Sequence, residues 1–243
     1  MASKRYKGKD CAYCGKKKAS TTADHVIARE FFFEVDRANL PQVPACNDCN
    51  NKKSTLEHYA SAALMAGSNH IDGELYRREK VAPRLSKNRT LQQDLGINDP
   101  PILMNIRGII QPTHVLKLQS KKINNLMGLI VKGLYFLHFE LPLSRQFYPD
   151  VGMFSPDYEP ALWASMAHYF PPGSLRVNAN LGRSSFVYEG TQSPSHQALS
   201  VWRMAWHGGI RLHGADSPQQ GISVFWAVTR PTPESLRSAP RAA

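Results

Sequence analysis

Hydrophobic positions recur at three- and four-residue intervals between Asn47 and Met65: Leu56, Tyr59 and Ala60, then Ala63 and Leu64. That spacing predicts a helix, stopped by Gly67, Ser68 and Asn69. Ahead of it, Thr21 to Ile27 is apolar and has enough Thr and Val for a short strand, followed by a loop through Asp36, Asn39, Pro41 and Pro44. Residues 72–122 are polar and basic, with Pro100-Pro101 as a hinge between two blocks. Residues 123–139 mix Leu, Ile, Val, Phe and Tyr without alternation, which predicts a buried helix starting near Thr113. Turn residues crowd Pro142 to Pro172, around a short helix at Ala161 to Tyr169. The period then changes to two. Leu175 to Leu181 alternates, and Ser185 to Glu189, Val201 to Leu212 and Ile222 to Thr229 read as strands of an antiparallel sheet with aromatic residues on one face. From Arg230 the chain is rich in Pro, Ser, Arg and Ala and is expected to be loose.

At 243 residues, with 42% hydrophobic and 20% charged positions, the chain has material for a real core, which excludes wholesale disorder. The formal charge of +11 points to an anionic partner, and most of the excess lies in the first half, where a nucleic-acid footprint belongs. No run approaches the ~18 apolar residues of a membrane span, and the basic N-terminus lacks the apolar segment of a signal peptide. A soluble, cytoplasmic protein without a membrane partner is expected. The four cysteines all fall in the first fifth, at Cys11, Cys14, Cys46 and Cys49, as two Cys-x-x-Cys pairs. Two such knuckles present four sulfurs tetrahedrally to a structural Zn²⁺ and leave no position for water.

Between and after the knuckles stand Asp24-His25-Val26, Asn39-Leu40 and Cys49-Asn50-Asn51-Lys52-Lys53. The combined pattern, C-x2-C, D-H-V, N-L, C-x2-C-N-x2-K, resembles the HNH endonuclease motif in its four-cysteine, zinc-stabilised form, over about residues 8–60. The resemblance implies two strands and a helix clasping one catalytic divalent ion, Mg²⁺ or Mn²⁺ or another. It implies Asp24 and Asn50 as ligands of that ion, with Asp48 as a further candidate. An imidazole that titrates near neutrality suits a general base, the role expected of His25. Adjacent residues on a strand point to opposite faces, so Asp24 and His25 need a bulge to share a site, or else they do different jobs. Asn39 is expected to brace the loop that orients His25. Lys52 and Lys53 are expected beside the nucleic-acid backbone, extended by Lys16, Lys17, Lys18, Arg77, Arg78, Arg84, Lys87 and Arg89. Arg29 stands where the family often has a small residue or proline.

The expected architecture is α+β, an N-terminal ββα-metal module followed by a mixed helical and antiparallel-sheet domain. The expected divisions are 1–70 for the module, 71–112 for a basic connection, 113–230 for the C-terminal domain and 231–243 for a flexible tail. The implied activity is phosphodiester hydrolysis in DNA, with RNA as the other candidate and a homodimer as the way to cut two strands. The alternative is a non-catalytic zinc module that binds nucleic acid or protein. The histidines other than His25 show no metal spacing, and His207-Gly208-Gly209 beside Trp202 and Trp206 reads as the aromatic face of a sheet.

Overall fold

The computed structural model describes residues 4–106, 108–113, 116–211 and 221–238. The first elements are β1 (Thr22–His25) and β2 (Gln42–Ala45), paired antiparallel with His25 opposite Gln42 and Asp24 opposite Val43. α1 (Asn47–Ala66) follows the second knuckle at once and ends at Gly67, as the spacing predicts. The stretch containing Pro41 and Pro44 is therefore part strand. Pro44 has no N–H to give, but its carbonyl accepts from Ala12 N at 2.9 Å.

The basic segment after α1 has its own elements. α2 (Gly73–Tyr76) runs through a π-helical turn, Arg77–Val81, into α3 (Ala82–Ser86). Asn88 then caps α4 (Arg89–Asp94), its side chain accepting from Leu91 N at 2.9 Å. After Pro100-Pro101 come β3 (Ile102–Ile106) and β4 (Ile109–Thr113), a two-stranded ribbon separate from the other sheets. Thr113 thus closes a strand, and the helix expected to begin near it, α5 (Ser120–Phe139), starts later.

The C-terminal half contains β5 (Phe147–Phe154), α6 (Glu159–Met166), β6 (Arg176–Leu181), β7 (Phe186–Gln192), β8 (Ser200–Trp206), β9 (Ile210–Arg211) and β10 (Ile222–Pro231). They form one antiparallel sheet in the order β5-β10-β8-β7-β6, with β9 paired to β10. β5 went unread in the sequence because Pro149 and Gly152 look like turn residues. It is an edge strand, where a missing N–H costs no ladder bond. The single strand expected from Val201 is broken at His207, Gly208 and Gly209, all with positive φ. Leu212, where it was expected to end, lies outside the described residues. The tail is ordered further than its composition suggests: β10 reaches Pro231, and α7 (Pro233–Ser238) follows.

α+β is the architecture observed. α6 covers one sheet face through Leu162, Trp163 and Met166, which pack with Phe170, Val201, Val224 and Trp226. On the other face Trp202, Trp206, Phe186 and Phe225 are fully buried, in a cluster that continues through α5 and α1 to Val26 and Cys11. Those two tryptophans are core residues. α5 lies so close to the N-terminal elements that a Cβ on Gly133 would sit 2.9 Å from Val26 Cγ1 and 3.4 Å from the Tyr13 ring. No helix among the described residues is long and apolar enough to cross a membrane.

Candidate active site

The two knuckles converge. The sulfurs of Cys11, Cys14, Cys46 and Cys49 all lie within 4.8 Å of one another, with Cys14 and Cys46 4.0 Å apart. Zn–S bonds of about 2.3 Å in a tetrahedron require sulfurs roughly 3.8 Å apart, so the donor set fits Zn²⁺. The first knuckle turns through Gly15 at φ +63°, its N–H donating to Cys11 O, and Cys46 N–H points at Cys11 Sγ at 3.4 Å. Burial, then the neighbouring cysteine sulfurs, pushes the Cys49 thiol well up, so holding it as a thiolate here takes a cation beside it. This is the one cluster of metal-ligating side chains among the described residues.

The knuckles set β1 against α1, and a buried ionic network joins the two. Lys53 has no solvent exposure, and its ammonium donates to His25 O at 2.7 Å and pairs with Asp24 Oδ2 at 3.1 Å and with Glu57. Tyr13, in the first knuckle, donates its hydroxyl to the same Asp24 oxygen. Burial, then the charge of Asp24, holds the Tyr13 phenol well above its ordinary range, so it remains a neutral donor. Burial also raises the Glu57 carboxyl to about 7 against the opposing pull of Lys53. Lys53 is therefore not a surface contact for phosphate, as the sequence suggested. An ammonium at this position is nearer to two carboxylates and a carbonyl than to solvent.

β1 pairs one-to-one with β2 and has no bulge, so Asp24 and His25 leave the strand on opposite faces. Asp24 faces α1. Its Oδ1 makes no hydrogen bond among the described residues, and the side chain keeps 11% exposure. His25 is half-buried, with Nε2 3.1 Å from Gln42 Nε2. Burial, reinforced by Arg29 and Lys53 and opposed by Asp24, holds its pKa below the ordinary histidine value. Asn50 stands in the first turn of α1, three residues before Lys53 and hence on the same helix face, its amide unbonded among the described residues. Asn39 is exposed at φ +58°. Its left-handed backbone turns the chain into β2, while its side chain bonds nothing among the described residues. Lys52 and Asp48 are exposed. Of the wider basic set, Arg77, Arg78 and Arg84 pair with Glu74, Glu79 and Glu30. Lys16, Lys17, Lys18, Lys87 and Arg89 are exposed and form no ion pair among the described residues.

Three members of this constellation escaped the sequence reading: Tyr13, Glu57 and Gln42. Glu57 carries a faint signal, four residues after Lys53 on a helix. Tyr13 sits inside a knuckle that was read only for its cysteines, and Gln42 gains meaning only from strand register.

Knuckles, hairpin and helix thus make a ββα unit whose four cysteines are placed to hold Zn²⁺. Residues 11–56 match the family model described as HNH endonuclease. No curated protein and no solved structure matches the chain. A nuclease-type function, directed at nucleic acid, is what that match supports for the module.

Proposed function

We propose that the module is the catalytic part of a metal-dependent endonuclease that hydrolyses phosphodiester bonds in DNA. The reading is carried by the family match over a segment in which Lys53 ties the end of the Asp24–His25 strand to the first turns of α1. Asp24 Oδ1 and the Asn50 amide oxygen are two oxygen donors uncommitted among the described residues, the type that suits Mg²⁺ or Mn²⁺. When bound by them, such an ion would supply positive charge to a phosphate oxygen and to the departing 3′ oxygen. His25, kept neutral by burial, takes the proton of the attacking water. Lys52 offers charge to a flanking phosphate. In-line attack by water leaves 5′-phosphate and 3′-hydroxyl ends and makes no use of a 2′-hydroxyl, so the mechanism is compatible with DNA, the substrate proposed, and equally with RNA. One such site cuts one strand, so double-strand cleavage calls for a second copy.

A second reading is a zinc module that binds nucleic acid or a protein without cutting. It is favoured by the regular β1 pairing, which parts Asp24 from His25, and by the Asp24 Oδ2 contacts that Tyr13 and Lys53 already occupy. Supercoiled plasmid incubated with Mg²⁺ or Mn²⁺ separates the two. The wild type should nick it, and His25→Ala should be slower by about 10²-fold or more with binding retained. Equal rates for both proteins remove the general base. Binding without any nicking selects the second reading.

A further inference from the structure

His25 and Gln42 are cross-strand partners on one face of the hairpin, and the only side-chain hydrogen bond of the His25 ring among the described residues is the 3.1 Å contact between its Nε2 and the Gln42 amide. Nδ1 is unbonded among the described residues. A neutral imidazole has one N–H and one lone pair, so whatever meets Nε2 decides what Nδ1 can do.

We infer that Gln42 is a positioning residue that selects which nitrogen of His25 serves as the base, an inference that rests on the general-base role proposed above. With its amide nitrogen toward the ring, Gln42 donates to Nε2. The imidazole proton must then sit on Nδ1, and that nitrogen has no lone pair to offer. A half-turn about the last side-chain bond brings the Gln42 carbonyl oxygen to nearly the same place. Nε2–H then donates to that oxygen, and Nδ1 keeps its lone pair for a water proton. Only this second arrangement makes His25 a base. The backbone on both sides is held while the amide turns: Gln42 O accepts from the Tyr6 hydroxyl at 3.1 Å, and His25 O accepts from Lys53 Nζ at 2.7 Å. Gln42 lies outside the Asp-His, Asn and Cys-x-x-Cys-Asn pattern, so the motif assigns it nothing.

Two variants separate acceptance from mere packing. Gln42→Glu can only accept from Nε2–H, while Gln42→Leu can do neither. Under single-turnover conditions at pH 8.5, Q42L should lose about 10-fold or more in the cleavage step with KM nearly unchanged, and Q42E should recover to within about 3-fold of wild type. Long-range ¹H–¹⁵N spectra of the full-length protein, with His25 assigned by difference against H25A, read the tautomer directly. Wild type and Q42E should show Nε2–H, and Q42L should lose that preference. The inference is overturned by wild-type turnover in Q42L, by a Q42E variant no better than Q42L, or by an Nδ1–H tautomer in the wild type. If the wild type cuts no nucleic acid, the base role itself fails. An Nε2–H tautomer lost in Q42L would even then show that Gln42 sets the ring.

Discussion

A buried ammonium is costly unless oxygens surround it, and Lys53 is met by Asp24, Glu57 and the His25 carbonyl with no solvent contact. Replacing it with Met keeps most of the volume but strands two carboxylates. We expect Lys53→Met to cost about 3–5 kcal/mol in urea unfolding. The exposed neighbour should behave oppositely, with Lys52→Ala within about 0.5 kcal/mol of wild type but weaker in oligonucleotide binding. A small effect of K53M would mean that water reaches the network. The sequence shows both residues as lysines after a cysteine knuckle, and nothing local tells which one is internal. His207 poses a separate problem, since both its ring nitrogens are buried without a hydrogen-bond partner among the described residues. Burial, with a smaller contribution from His70, depresses its pKa from 6.5 to about 3. Stability held by neutral His207 is therefore whole above the unfolded value of about 6.5. It is lost as pH falls toward 3, by up to about 5 kcal/mol. His207→Phe should flatten that acid limb when unfolding free energies at pH 7 and pH 4 are compared. The raised carboxyl of Glu57 tilts stability the other way in both proteins and cancels in the comparison. Parallel acid limbs would show that His207 finds a proton acceptor.

At the scale of elements, the hairpin and the start of α1 draw on the four sulfurs as well as on apolar burial. β1 and β2 are four residues each, short for independent strands. α1 opens at Cys46 with no side-chain cap, so zinc held by Cys46 and Cys49 would secure the helix start that a capping residue otherwise secures. Cys46→Ser should lose zinc by elemental analysis and lower Tm by roughly 10 °C or more, as several kcal/mol of metal-linked folding disappear. Full zinc occupancy in C46S would contradict the four-thiolate site. These elements also show what local pattern reveals. Both ends of α1 and the knuckle spacing are legible because cysteine pairs and helix stops act over a few residues. The buried face of α1 is harder to see, since Lys53, Glu57 and Ser61 interrupt its apolar stripe. The β3–β4 hairpin was hidden by the prolines beside and within it, and β5 by a proline and a glycine that its long-range pairing with β10 tolerates at the sheet edge.

For the molecule as a whole, the motif and the pattern along the chain suggest a module over residues 1–70 followed by a larger domain, yet packing runs straight across that expected division. Val26, Ala63 and Leu64 share one cluster with Ile123, Ile130 and Leu134 of α5 and with Trp206 of the sheet. Gly133 permits the close approach of α5 to Val26 and Tyr13, next to the network that holds Asp24. Cutting after residue 70 would uncover that apolar surface, and a zinc site alone cannot replace it. Residues 1–70 with zinc should therefore give a poorly dispersed amide spectrum and bind a hydrophobic dye, as loosely packed states do. The full chain should unfold in one cooperative transition, with the zinc module and the sheet melting together. A well-dispersed spectrum from the fragment would make the module autonomous and confine the shared core to a docking contact. Collapse of the fragment would instead mean that the sheet helps to hold the Asp24–Lys53 network in place, and that damage far from β1, at Trp206 for example, reaches the proposed cleavage site through α5.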